Sequence, residues 1–466
     1  MKKYVSKIIY SLLLLSFINC DSYLEVNEDP NVATDVPPVL IFKGMELADV
    51  QINSGHLMRI SQFWTGQMKG VNSLYARIND YNIAPEESNS NWAHLYHGVM
   101  TQNKIIQETS DDNLLKGMAN VLEAHAIGTS TSLFGDIPYS DVGNPEGAAF
   151  DGQLSILAAA QTLLTEAITQ LGNVSTTRRF TDDILLEGKS EAWIQVAYTL
   201  KARYYLMNNQ YGEAYQNALK GINAPSNSLR YAAAYAEYGS SDENSSLYNL
   251  ILRGSRSGDL TTDGSFIQDI LMSPTNVASR NNAKTDESKR RDFYILDQAK
   301  INANRLSAGN ATMPLVTYEE NLMILAETGF RTVNFNEGLT QLNNLRTYLS
   351  GGTAFAGDPA LTTLYAPYIA ADFLTGGIEN IDGITSDKAL LREIMEEKYV
   401  STFGTILPFD DFRRLRVTDS DITLPIPINT GTTYPERFLI AQDEINGNTN
   451  APSPIPDIFQ KTPVNQ

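Results

Sequence analysis

Two stretches of this chain repeat one spacing of small residues. Ala202, Tyr205, Ala214, Ala218 and Gly221 stand at offsets 0, 3, 12, 16 and 19, and Ala326, Gly329, Gly338, Leu342 and Leu345 stand at the same offsets. Tyr211-Gly-Glu-Ala214 and Phe335-Asn-Glu-Gly338 open the second helix of each unit. Small side chains at facing positions let antiparallel helices approach where larger ones would hold them apart. The spacing therefore demands helix pairs.

Apolar residues recur at three- and four-residue intervals through 40–53, 92–107, 114–133, 154–171, 190–208, 212–222, 317–328, 337–349 and 386–403, so the fold class is mainly α. The small-residue offsets match those of tetratricopeptide (TPR) repeats. Because stacked units of that kind need at least three members, 114–133 with 154–171, and 386–403 with the segment after Pro408, are expected to supply further pairs. Long polar stretches separate the windows at 69–91, 134–152, 223–246, 253–316 and 350–383. Irregular segments of this length inside a compact domain usually carry function.

At the N-terminus, Lys2, Lys3 and Lys7 precede an apolar run from Ile8 to Ile18, which reads as a secretory signal and is too short to span a bilayer. The only cysteine, Cys20, stands directly after it, where a bacterial lipoprotein is cut and diacylated; two or more acyl chains make a stable anchor. The expected organisation is a leader at 1–19, a lipidated, proline-containing tether at 20–38 and a single domain at 39–466. No later segment is expected to cross a membrane. Acidic residues outnumber basic ones 54 to 35, a formal charge of −19 that repels phosphate backbones and excludes a basic nucleic-acid groove.

Catalytic signatures are sparse. Glu396-Glu397 and Asp410-Asp411 are adjacent carboxylates, but adjacency does not give the 5 to 9.5 Å opposition of a glycosidase pair. His94 and His97 could share a helix face, yet neither HExxH nor a third metal ligand accompanies them. GxSxG, Walker A, GxGxxG and EF-hand loops are absent from the sequence. The chain is expected to be no enzyme and to need no cofactor; a structural calcium ion held by loop carboxylates and carbonyls stays open, without a location.

Several separated blocks resemble those of the SusD/RagB family of outer-membrane nutrient-binding lipoproteins: Val26-Asn-Glu-Asp-Pro-Asn31, Trp92 with Tyr96, Phe134-Gly-Asp-Ile-Pro-Tyr-Ser140, Leu200-Lys-Ala-Arg203, Ile324-Leu-Ala-Glu327, Leu342-Asn-Asn-Leu-Arg346, Glu397-Lys-Tyr399, Asp410-Asp-Phe-Arg-Arg414, Tyr434-Pro-Glu-Arg437 and Asp443-Glu-Ile-Asn446. The resemblance implies a SusD-like α-α superhelix in which TPR-like helix pairs form a scaffold and long loop insertions build a ligand face. It also implies a SusC-like TonB-dependent transporter as partner, a glycan as the commonest ligand, and an outer-membrane, surface-exposed location. Arg203, Arg346, Arg413 and Arg414 are expected to pair with carboxylates such as Glu327, Glu396, Glu397 or Asp411 inside the scaffold.

Sugar capture needs flat apolar faces beside fixed polar groups. Trp92 and Trp193 lie within helical windows and are expected in the core. Trp64 ends a short helical stretch and opens onto a polar segment, so Trp64, Asn72, Tyr75, Arg77 and Tyr81 are the expected ligand contacts, with Asn79 beside them. The insert 253–292, carrying Arg253, Arg256, Asp259 and Asp263, is a second expected wall, and its end, Asp286 to Asp292, reads as a solvated loop. An oligosaccharide or a peptide would both suit such a surface. The competing reading is a TPR scaffold lipoprotein that grips a peptide or protein and has no small ligand.

Overall fold

The computed structural model describes residues 36–232, 258–296, 306, 308, 311–352, 354 and 364–466. The leader, Cys20, nearly all of the tether, Arg253 and Arg256 lie outside the described residues.

All nine helical windows form helices. In chain order these begin with α1 (Pro38–Ser54), α2 (His56–Trp64), α3 (Ser73–Asn79), α4 (Asn89–Ala93) and α5 (Thr101–Thr109), the last two joined by a π-wound turn, His94–Met100. Next come α6 (Asn113–Phe134), α7 (Gln153–Gly172), α8 (Ser190–Met207) and α9 (Tyr211–Ala218), then α10 (Ser288–Tyr294), α11 (Tyr318–Thr332), α12 (Phe335–Ser350), α13 (Ser386–Ser401), α14 (Leu407–Thr418) and α15 (Gln442–Gly447). Boundaries follow local chemistry. Asp112 caps α6 by accepting from the Leu114 amide at 2.9 Å, and Gly135 closes it in the left-handed region at φ 77°. Thr317 and Glu320 form a capping box at α11, and Asn334 caps α12.

The small residues sit where the helix pairs touch. A Cβ on Gly338 would lie 2.7 Å from Cβ of Phe330, one on Gly329 would lie 2.7 Å from Cγ of Glu337, and one on Gly221 would overlap Asn321. Ala202, Ala214, Ala218 and Ala326 are buried. α6 and α7 pack along their length as the expected third pair, with Gly117 against Leu171. The fourth differs: α14 packs more extensively on α2 than on α13, because the short 402–406 connection turns the chain away. α7 is also long and apolar enough to cross a membrane, contrary to expectation, but Ile156, Leu157, Ala160, Leu164, Ala167 and Leu171 are buried within the fold.

Two apolar clusters result among the described residues. One spans α1, α2, the α4–α5 rod, α6, α7 and most of α8; the other joins α9, α11, α12 and α13. Three two-stranded antiparallel ladders staple the connecting segments: β1 (Lys69–Gly70) with β5 (Leu260–Thr261), β2 (Ile137–Pro138) with β3 (Phe150–Asp151), and β4 (Leu229–Ala232) with β6 (Thr312–Val316). In the first, Lys69 faces Thr261 and Gly70 faces Leu260.

Buried charges lock the scaffold. Arg280 reaches Glu287, Glu393 and Glu397 at 2.7, 2.8 and 2.6 Å, and Arg290 reaches Glu397 at 2.9 Å. Glu327 takes both guanidinium nitrogens of Arg414, at 2.7 and 2.8 Å. Arg203 grips Glu320 in the same bidentate way, while Arg413 is held by Asp410 at 2.7 Å and by backbone oxygens of Ser132 and Glu436. Arg346 stacks over Tyr368 at 3.7 Å. The stretch from Asp286 to Asp292, read as solvated loop, is corrected: it contains most of α10, and Arg290 is fully buried because Glu397 neutralises it.

Candidate functional site

The β1–β5 ladder brings the two expected ligand walls together. The amide of Val71 donates to the Asp259 carbonyl at 2.9 Å, continuing the pairing past the strand ends. On this seam stands α3. Asn72 caps it, accepting from the Ser73 amide at 2.9 Å, and Arg77 lies in its last turn, where a cation is favoured by the helix dipole. Ser73, the first residue of the helix, at φ 49° and Tyr81, two residues past its end, at φ 64° lie in the left-handed region, a conformation costly for residues with a Cβ and concentrated at functional sites.

The five expected contacts separate into two groups. Asn72 and Arg77 are exposed, as are Asp80 and Asp263, and the Arg77 guanidinium has no partner among the described residues. Trp64, Tyr75 and Tyr81 are corrected: all three are buried, at 1%, 1% and 7% exposure. The Trp64 ring stacks on Phe438 with centroids 4.6 Å apart, and its indole N–H donates to the Ile78 carbonyl at 3.0 Å, so no face is left for a pyranose. Tyr75 packs edge-on against Phe63, and its hydroxyl accepts from Nε of Arg59 at 3.0 Å. The Tyr81 hydroxyl accepts from the Asn429 amide at 2.9 Å, and burial raises its pKa. These aromatics pack into the core on the inner side of α3 and offer no open face. Of the second wall, Asp259 is buried and Asp263 exposed.

The adjacent carboxylates are structural. Two arginines beside Glu397 hold its carboxyl far below the usual range, while burial raises Glu396 to about 7 and Glu393 to about 8. Burial also raises Asp410, which accepts from Ser132. Trp92 and Trp193 are buried as expected, and their N–H groups donate to Glu444 and Asp183. His94 is half-buried, with its pKa lowered by desolvation, and His97 is exposed. Among the described residues no group of three His, Cys, Asp or Glu side chains is placed to hold a metal ion. Sequence reasoning missed Ser73, whose strain has no sequence signal, and the polar cleft beside Trp92, whose walls come from segments 350 residues apart.

Residues 41–405 match the SusD-like family described as "Starch-binding associating with outer membrane". The chain belongs to that family, whose members are non-catalytic binding proteins, and it is therefore an outer-membrane-associated binding protein and not an enzyme. Solved structures share its fold. A SusD/RagB family protein from Bacteroides thetaiotaomicron is 16% identical with a TM-score of 0.66, covering 89% of this chain and 95% of that one. A SusD homologue from Bacteroides fragilis is 16% identical (TM-score 0.64; 93% and 100% covered), and a chitin-binding SusD homologue from Flavobacterium johnsoniae is 17% identical (TM-score 0.60; 91% and 98% covered). No curated protein matches the chain.

Proposed function

We propose that the protein captures an oligosaccharide outside the cell and passes it to a SusC-like TonB-dependent transporter. In this reading residues 1–19 direct export, Cys20 carries the lipid that holds the protein at the outer membrane, 20–38 form the tether, and 39–466 act as one capture domain. The observation that carries the ligand surface is the strained helix α3, which presents Asn72 and an unpaired Arg77 at the seam of two loop walls. Fixed donors on a backbone held out of its relaxed conformation suit recognition of sugar hydroxyls, because little ordering is left to be done on binding. The chitin-binding homologue supports a glycan over a peptide.

The test is affinity electrophoresis and calorimetry of the purified protein against a panel of soluble polysaccharides and peptides, with Asn72→Ala and Arg77→Ala beside the native chain. One glycan class should bind saturably, and the variants should weaken it about tenfold, Arg77→Ala at unchanged melting temperature and Asn72→Ala with the small drop that loss of the α3 cap brings. Binding of peptides alone, or glycan binding indifferent to both variants, contradicts the reading.

A further inference from the structure

A cleft of about 350 Å³ opens between the π-wound turn, the 142–148 loop and α15, and its lining shares no residue with the α3 surface. Trp92 from α4 and Tyr96 and His97 from the π-wound turn that follows it line the same space. Facing them is Glu444. Its carboxylate accepts from the Trp92 indole at 3.1 Å and from Nδ2 of Asn448 at 2.5 Å, so it is fixed at the cleft wall.

The adjoining rim is equally fixed. Side chains of Asn448, Thr449 and Asn450 donate to the carbonyls of Ala148, Glu146 and Gly147 at 2.7, 2.9 and 2.9 Å. Gly147 adopts φ 102°, and a Cβ there would lie 2.6 Å from Oδ1 of Asn448, so the loop can close on this rim only through glycine. The Tyr96 hydroxyl donates to the Pro138 carbonyl at 2.7 Å, anchoring the aromatic side to the base of the same loop. A cleft held in this way needs little rearrangement to receive a ligand.

Its charge selects the ligand. Asp443 and Glu444 line it; among the described residues no lysine or arginine does, and His97 is the only lining group that can become cationic. An anion would be repelled. A neutral sugar could use the rings and the asparagine amides but would leave the Glu444 charge without a counterion. A protonated amine on a sugar ring answers both features, since ammonium groups are favoured by a carboxylate and by aromatic faces together.

We propose that this cleft binds an amino sugar through its ammonium group, with Glu444 as the counterion and Tyr96 and His97 against the ring. The test is calorimetric titration of the full-length protein carrying Asn72→Ala and Arg77→Ala, which silence the α3 surface, with glucosamine oligomers, N-acetylglucosamine oligomers, glucose oligomers and lysine methyl ester. Glucosamine oligomers should bind at least tenfold more tightly than the other three, and more weakly as salt is raised. Glu444→Gln should lower that affinity at least tenfold. Because Glu444 also holds Trp92 and Asn448, a second variant keeps the test independent of folding: Ala93→Trp, at an exposed position on the lining, should block binding at unchanged melting temperature. Equal affinity for the acetylated or neutral sugars, a match by lysine methyl ester, insensitivity to both variants, or no binding heat would each overturn the assignment. Because Asn72 and Arg77 lie outside the cleft, binding that the native chain shows and this double variant lacks bears on the α3 surface instead.

Discussion

At the residue scale, burial and partners decide which side chains can meet a ligand. Trp64 and Arg77 are 13 positions apart, yet one is enclosed by Phe438, Phe409 and Tyr81 and the other is exposed. Trp64→Ala should therefore cost roughly 3–5 kcal/mol of stability, read as a lowered urea midpoint, whereas Arg77→Ala should change stability by less than about 0.5 kcal/mol. Glu46 gives a pH prediction. It is buried beside Asp183, and desolvation followed by that neighbour raises its pKa to about 11, so it stays protonated in the folded protein. The unfolded chain releases this proton above about 4.5, so the group's contribution is greatest below that pH and is lost as pH rises toward 11. Glu46→Gln should raise stability at pH 8 by roughly 1–3 kcal/mol and flatten the alkaline slope of the urea midpoint; a lower midpoint at pH 8 would refute the assigned protonation. Such detail was not legible in sequence, because a lone aromatic before a polar run looks the same whether its ring meets a sugar or Phe438, which is 374 positions away.

At the element scale the sequence was far more readable. Period and small-residue spacing are local signals, and they placed nine helical windows and the α8–α9 and α11–α12 pairs before any tertiary contact was considered. The failures also have local causes. α3 and α10 are short helices inside polar stretches, stabilised by what they pack against rather than by their own amphipathic period, and α14 leaves its expected partner because the connection before it turns the chain. The close approaches give a sharp test. Gly128 lies against the Tyr204 ring, and a Cβ there would overlap it. Gly128→Ala should lower stability by roughly 1–3 kcal/mol, measured by chemical denaturation, and Gly212→Ala, at a helical glycine with open space around it, should leave it unchanged or raise it slightly.

At the scale of the whole molecule, buried ion pairs join segments that sequence order keeps apart, and the proposed glycan surface is mounted on the result. Glu327 and Glu397 are held ionised well below their ordinary range, chiefly by Arg414 and Arg290 against the cost of burial. Depressed carboxylates contribute stability above the unfolded value of about 4.5 and lose it as pH falls. Glu397→Ala should cost roughly 3–5 kcal/mol at pH 7, since it takes the nearest carboxylate from buried Arg290 and one of the three that hydrogen-bond buried Arg280, and this cost should shrink in acid. The central claim is that this rigid assembly presents Asn72 and Arg77 to a glycan. Its most direct test is calorimetric titration of the native chain and the Asn72→Ala/Arg77→Ala double variant with the glycan class that the panel selects. We predict saturable binding by the native chain and a loss of about a hundredfold in the double variant, with both proteins folded at the titration temperature by circular dichroism. Equal affinity in the two proteins would contradict the account.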